Sequence, residues 1–417
     1  MSLHNSSSAE AVHTVASAQR RILALAASPA VHRAFHWLHL HQPQLRQWLL
    51  DLVAIPAPPF AEGPRAEAVL ALFRSLGLSD VRLDDAGNAL AELSSPAMRP
   101  DEPVLLVSAH LDTVFPAGTP CTPNEDGNRI YAPGACDNGA GLSALLGLAA
   151  ALRFANLTPP IPILFAANVG EEGEGDLRGM RHLLTRGSLA RRVAAVLVLE
   201  GAGSSTVVTH ALGSLRFRLT VSGPGGHSWT DASAPNPIFL LSRILTALAD
   251  LPLPESPRTT LSVGHITGGT SINSIPSSAS ALLDLRSVDP LQLRHIGDQV
   301  VRTARDILSS RPPSAATLTP QLIGDRPAAQ LPEDSPLLRT IAAVDRHLGL
   351  RTELRVGSTD ANLPLSLNLP AVALSTGGTG GGIHTLQEWF DPTARETSLR
   401  RLLLTLLDTA NLLATVG

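Results

Sequence analysis

Carboxylates and histidines in this chain stand at the ends of apolar runs or beside glycine turns. His110-Leu111-Asp112 follows the run 104–109, Glu171-Glu172 follows 163–168, and Glu200 follows 193–199. His384 ends a glycine-rich loop after the run 371–374, and Asp137 opens a small-residue helix in Gly134-Ala135-Cys136-Asp137-Asn138-Gly139-Ala140-Gly141. Oxygen and nitrogen donors gathered in this way suit a hard or borderline divalent cation. A metal-bound histidine needs its other ring nitrogen held by an acceptor, and Asp112, two residues from His110, can serve. Asp137 can bridge two cations, or it can be the N-cap of the following helix. Adjacent Glu171 and Glu172 repel unless a cation is present. They point different ways, so one can ligate while the other faces substrate as a general base. Their alternative is the acidic first turn of a helix. Glu200 needs a partner after so apolar a strand, whereas His384 alone reads as a surface-loop histidine. Each motif has an ordinary structural explanation, but their shared placement beside strand ends does not.

The elements that must position these groups alternate. Helices are expected at 43–53, 63–76, 139–154 and 175–186, a hairpin at 81–93, and strands at 104–109, 163–168 and 193–199. This β-α-β order predicts a largely parallel mixed sheet covered by helices, with ligand sites at the carboxyl ends of its strands. From about residue 211 the pattern changes. Strictly alternating strands at 215–222, 259–267 and 279–287 join helices at 237–251 and 290–308, an α+β block. Helices at 336–348 and 394–414 and a strand at 371–374 resume the first pattern. The expected organisation is a catalytic α/β domain of residues 1–210 and 327–417, interrupted by an inserted α+β domain of residues 211–326. Residues 1–40 are expected to be an N-terminal extension, of which the Ser/Ala-rich 1–30 would be loose or helical.

The chain has 417 residues, too many for a single core. Its 44% apolar and 16% charged content is globular. A net charge of −4 without a basic block argues against nucleic acid. No apolar run was found that reaches the roughly 18 residues of a membrane span. The short apolar stretch after Arg20-Arg21 does not read as a secretory signal, so a cytoplasmic location is expected. The only cysteines, Cys121 and Cys136, exclude a disulfide framework and a cysteine-rich zinc site. Cys136 is expected to pack beneath the site. The chain contains no lysine, which excludes a Walker A lysine, a Schiff base and a lysine general base.

The series S-A-H-L-D-T-V, G-A-C-D-N-G-A-G, N-V-G-E-E-G-E-G, V-L-E-G, G-P-G-G-H-S and G-I-H-T-L-Q-E-W-F resembles the ArgE/DapE/carboxypeptidase G family of dizinc metallopeptidases and amidohydrolases. The resemblance covers nearly the whole chain from about residue 45. It implies a catalytic α/β domain with an inserted lid that dimerises. It implies that His110 and Glu200 bind one metal ion, that Glu172 and His384 bind the other, and that Asp137 bridges both. Zinc is the expected metal, with cobalt or manganese possible. Glu171 would be the general base and Asp112 would orient His110. His227 would reach a partner subunit's site and stabilise the oxyanion, while Asn273 and Arg286 would contact substrate. Two ions would acidify a shared water, and Glu171 would carry its proton to the leaving nitrogen. The family often has a second aspartate where this chain has Asn138. The resemblance associates glutamate at position 200 with carboxypeptidases and deacylases. The expected substrate is therefore a small peptide or N-acyl amino acid with a free carboxylate. Arg286 can meet that carboxylate, or it can pair structurally with Asp284 or Asp289. An aminopeptidase on di- or tripeptides is the alternative, and a catalytically silent ligand-binding relative is the alternative of a different class.

Overall fold

The computed structural model describes residues 14–94, 101–309 and 315–416. It divides into two compact units, Met1–Thr209 with Gln330–Gly417, and His210–Ala329. The first unit is built on a nine-stranded sheet. Its four central strands lie in the order Ile163–Asn168, Val104–His110, Val193–Leu199 and Ala371–Leu374, and all are parallel. Antiparallel neighbours flank them, Ala89–Leu93 on one side and Thr206–Ala211 on the other. Val104–His110, Ile163–Asn168 and Ala371–Leu374 are buried at every residue, which is why they read as unbroken apolar runs rather than alternations. Because the four run in one direction, their carboxyl ends share one edge of the sheet. His110 pairs in register with Asn168, and Leu199 with Leu374.

The helix Ala140–Phe154 packs against this sheet and is buried along nearly its whole length. The stretch Ala135–Phe154 is long and apolar enough to cross a membrane by length and composition, but 94% of its apolar window is buried inside the protein. One correction concerns the N-terminal region. Residues 1–13 lie outside the described residues, whereas 14–40 take the helical alternative but pack into the core instead of extending from it. Val15–Ala26 and Pro29–Leu40 bury Ile22, Val31, Ala34 and Leu38 against Pro336–Leu348, Glu396–Val416 and Ala140–Phe154. Arg21 makes a two-pronged ion pair with fully buried Asp408 (2.8 and 3.0 Å), which locks the first helix to the last. A second concerns 175–186, which is not one helix. Asp176 and Leu177 adopt left-handed conformations, so only Arg178–Arg181 forms an α-turn before a wider turn at His182–Arg186.

A four-stranded antiparallel sheet, in the order Thr379–Gly381, Trp389–Asp391, Arg129–Tyr131 and Asn124–Asp126, was missed because its strands are only three residues long. Ile130 and Phe390 of this sheet join Leu49, Val53, Ala135, Cys136 and Ala140 in a small core of their own.

The second unit is a four-stranded antiparallel sheet in the order Thr259–Gly268, Ser278–Ser287, Gly213–Ser222 and Thr317–Arg326. Leu215, Phe217, Leu219 and Val221 alternate inward and pack with Leu283 and Leu285 against the helices Pro237–Ala249 and Pro290–Ser309. The strand Thr317–Arg326 carries Pro320 and escaped the sequence reading. It lies at the sheet edge, where a missing N–H is tolerated.

Candidate metal centre

His110 is the last residue of a central strand and is 1% exposed. Its Nδ1 lies 3.0 Å from the carbonyl oxygen of Asp112, so the donating Nδ1–H leaves Nε2 facing the site. The Asp112 carboxylate is 3.6 Å from Nδ1, too long for a hydrogen bond. The expected orienting role therefore belongs to the Asp112 carbonyl. The carboxylate does different work. Its Oδ1 accepts the amide of Glu171 (2.9 Å) and its Oδ2 that of Glu172 (2.7 Å). Asp112 thus fixes the acidic pair relative to the neighbouring strand. Beneath it, buried Arg65 donates to the carbonyls of Leu111 (2.7 Å) and Ile55 (3.0 and 2.5 Å).

Asp137 does not cap the following helix. Its Oδ1 lies 2.9 Å from His110 Nε2 and its Oδ2 lies 3.0 Å from His384 Nε2. Glu200 Oε1 joins the first histidine at 3.3 Å, and Glu172 Oε1 joins the second at 3.0 Å. Two donor sets result, His110–Asp137–Glu200 and Asp137–Glu172–His384, with the atoms of each within 4.8 Å of one another. Glu171 forms a third such group with His110 and Glu172 and is 5% exposed. His384 adopts a left-handed conformation (φ 64°) in the turn between Thr379–Gly381 and Trp389–Asp391, and its side chain is half exposed.

The electrostatics fit cations. Burial alone would lower the pKa of His110, but Glu200 and the surrounding carboxylates outweigh it and raise it well above the imidazole range. Hydrogen bonds to Asp137 and Glu172 raise His384 to about 10. Burial would raise Asp137, but both histidines overcome it and hold its carboxyl below the usual range. Burial pushes Glu200 up to about 7, and its Oε2 is buried with no hydrogen-bond partner. Two imidazoles and three carboxylates, one of them shared and one with an orphaned oxygen, are a donor set that two divalent ions would satisfy.

Several residues support the site in ways the sequence did not show. Asn138, joined to Asp137 by a cis peptide, is fully buried. Its Nδ2 donates to the carbonyl of Leu199 (2.9 Å). Its Oδ1 accepts from Gly141 (3.0 Å) and Gly201 (3.3 Å). Asn138 is thus the helix cap and ties the Asp137 loop to the strand end bearing Glu200. Gly141 permits this approach, since a Cβ there would lie 2.7 Å from the Leu199 carbonyl. An aspartate at 138 has no donor for Leu199. Asn138→Asp is expected to cost about 1–3 kcal/mol and to lower the melting temperature of the metal-free protein, and an unchanged melting curve would refute this. Asn168 donates to buried Asp360 (2.6 Å), whose charge pushes Glu200 further up. Buried Glu388 accepts three amides of the Asp137 loop. Cys136 lies in the small core, and burial pushes its thiol up to about 12, so it stays protonated and outside both donor sets.

In the second unit His227 and Asn273 come together. Gly226–His227 pairs with Ser274–Ile275, and the Ser228 amide donates to the Asn273 carbonyl (3.0 Å). The Trp229 amide donates to His227 Nδ1 (3.2 Å), which leaves the proton of a neutral ring on exposed Nε2. Arg286 is not with them. It lies opposite Ser214, eight residues along its strand from Ser278, a span of roughly 27 Å. There it pairs with Asp284 at 2.6 Å, the structural alternative left open by the sequence.

This fold and these paired donor sets define a carboxylate–histidine centre of the two-metal type. Residues 106–410 match the peptidase family M20/M25/M40, and the chain belongs to that family. It is 30% identical to a probable carboxypeptidase of Aspergillus clavatus over 57% of this chain and 56% of that one. It is 25% identical to an acetylornithine deacetylase of Pectobacterium carotovorum over 69% of this chain and 75% of that one. The match thus spans little more than half the length of the first of these relatives. The fold is similar to that of a dinuclear metal-binding M20 peptidase from Bacillus subtilis, with a TM-score of 0.64, 18% identity, and coverage of 88% of this chain and 98% of that one.

Proposed function

We propose that this protein is a dinuclear metal-dependent amide hydrolase acting on a small peptide or N-acyl amino acid with a free carboxylate, in the manner of a carboxypeptidase or deacylase. The observation that carries this reading is Asp137, whose two oxygens face separate histidines, each with a glutamate of its own. One carboxylate with an oxygen in each donor set is what two neighbouring cations require. Divalent ions held there would act as Lewis acids and lower the pKa of water toward neutrality. His110, Asp137 and Glu200 would hold one ion, and Asp137, Glu172 and His384 the other. Zinc is the proposed metal, and cobalt and manganese accept the same donors.

Glu171 would take the proton of the attacking water and return it to the leaving nitrogen. Its backbone is fixed by Asp112, so the carboxylate is set beside the donor groups without belonging to either bridging pair. The Nε2–H of His227 would reach a partner subunit's site and stabilise the oxyanion there, with Asn273 beside it for substrate backbone. Arg286, paired with Asp284 and far along its strand from His227 and Asn273, is left out of this substrate site. The names of the two relatives support the carboxypeptidase and deacylase forms of this reading. The inserted unit also supports self-association. Among the described residues Thr259–Gly268 pairs on one side only, and Ile266 and Phe239 are exposed. A monomer by light scattering would remove that part.

The test is metal content with paired activity. Protein purified without chelator is expected to carry about two divalent ions per chain, the count that bridging by one carboxylate requires. It should cleave members of a panel of N-acyl amino acids and dipeptides, lose this activity to chelator, and recover it with zinc or manganese. Protein that remains inert after metal is restored would favour a silent ligand-binding relative instead.

A further inference from the structure

We infer that Glu388 is the positioning residue of the centre, holding the loop that carries Asp137 and the hairpin that carries His384 as one unit. The inference rests on the dinuclear reading above. Glu388 follows His384 by four residues and is completely buried. Its Oε1 accepts the amides of Cys136 (2.9 Å) and Asp137 (2.8 Å), and its Oε2 accepts that of Gly134 (3.1 Å). The backbone adds a parallel tie. The Ala132 amide donates to the Glu388 carbonyl (3.2 Å), and Trp389 and Phe390 pair with Tyr131 and Ile130.

A buried carboxylate is costly unless hydrogen bonds satisfy it, and bonds to an ionised acceptor are among the stronger ones. An apolar side chain at 388 would instead leave three amides unsatisfied. All three amides belong to the segment in which Asp137 is the only acidic residue. Fixing the Asp137 amide fixes the direction of its side chain, and so which oxygen faces His110 and which faces His384. Because Glu388 belongs to the His384 turn, the same contact sets the spacing between His384 and Asp137. Glu388 itself belongs to none of the converging donor groups among the described residues. It acts through the ligands rather than on a metal ion.

The test is a stepwise zinc titration of the metal-free full-length protein against a chromophoric chelator, with thermal melting of the same samples. Glu388→Ala is expected to weaken one of the two binding steps by roughly 10- to 100-fold, the range for outer residues that orient metal ligands. That step belongs to the ion held by Asp137, Glu172 and His384. The other should change less, because His110 and Glu200 are set by sheet strands. Glu388→Gln keeps the two bonds at Oε1 and loses the one at Gly134, so its effect should be intermediate. If the alanine variant does not fold, the glutamine variant decides. Wild-type constants for both steps in the variants would overturn the inference. So would an equal weakening of both steps that follows a lowered melting temperature, since that is a general loss of structure. Wild-type protein that takes up fewer than two ions would overturn the dinuclear reading together with this one.

Discussion

Replacing Glu171 by glutamine is expected to lower amide turnover by about 10³- to 10⁴-fold, the upper part of the range for a positioned general base, while both ions stay bound. Both bridging donor sets are complete without Glu171, since each contains a histidine, a glutamate of its own and one oxygen of Asp137. Glu171 nevertheless has a carboxylate oxygen within 4.8 Å of donor atoms of His110 and Glu172, so it borders the place where an attacking water would lie. Glutamine keeps the shape and cannot take a proton. The backbone N–H of residue 171 still donates to Asp112, so the strand end should not move. Turnover numbers and divalent ions per chain, measured on the same preparation, decide the matter. Turnover within tenfold of wild type would remove Glu171 as the base. Loss of an ion together with turnover would make it a ligand instead.

The separate roles of Glu171 and Glu172 show what can be read from a sequence and what cannot. The central strands were legible because burial on both faces removes alternation, and Val104–His110 and Ile163–Asn168 are buried at every residue. Their ends were legible because a charged residue directly after such a strand needs a partner. The supporting residues were not. Glu388 and Asn138 bind backbone amides and carbonyls, and any residue can supply those, so no pairing of residue types marks them. Glu388 meets its partners some 250 positions away, across an inserted unit, where no local pattern connects them. Asp112 meets His110 through its carbonyl at 3.0 Å more closely than through its carboxylate at 3.6 Å, a distinction that residue spacing does not carry. The packing of the N-terminal helices was illegible for another reason. Their Ser/Ala-rich composition resembles an extension, and only the partners Pro336–Leu348 and Glu396–Val416, far along the chain, show that Ile22 and Leu38 are core.

The same arrangement makes metal binding a proton exchange. In the metal-free protein the hydrogen bonds to Asp137 and Glu172 hold His384 protonated up to about pH 10, and Glu200 with its neighbours keeps His110 protonated well above the usual imidazole range. A metal ion takes only the neutral ring, so it must displace that proton. The sign follows directly. A histidine of ordinary pKa would stop competing above about pH 6.5, and affinity would then level off. Here the raised pKa keeps the competing proton in place, so affinity should keep rising through pH 7 and 8, by about tenfold per pH unit for each proton displaced. For the ion on His384 the rise should end only near pH 10. Zinc dissociation constants at several pH values, with calorimetry in buffers of different ionisation enthalpy, would show protons released as each ion enters. Affinity that is flat from about pH 6.5 to 8.5, with no proton release, would mean that the histidines are already neutral. In that case the carboxylates of Asp137, Glu172 and Glu200 would not set the charge state of the centre before metal arrives.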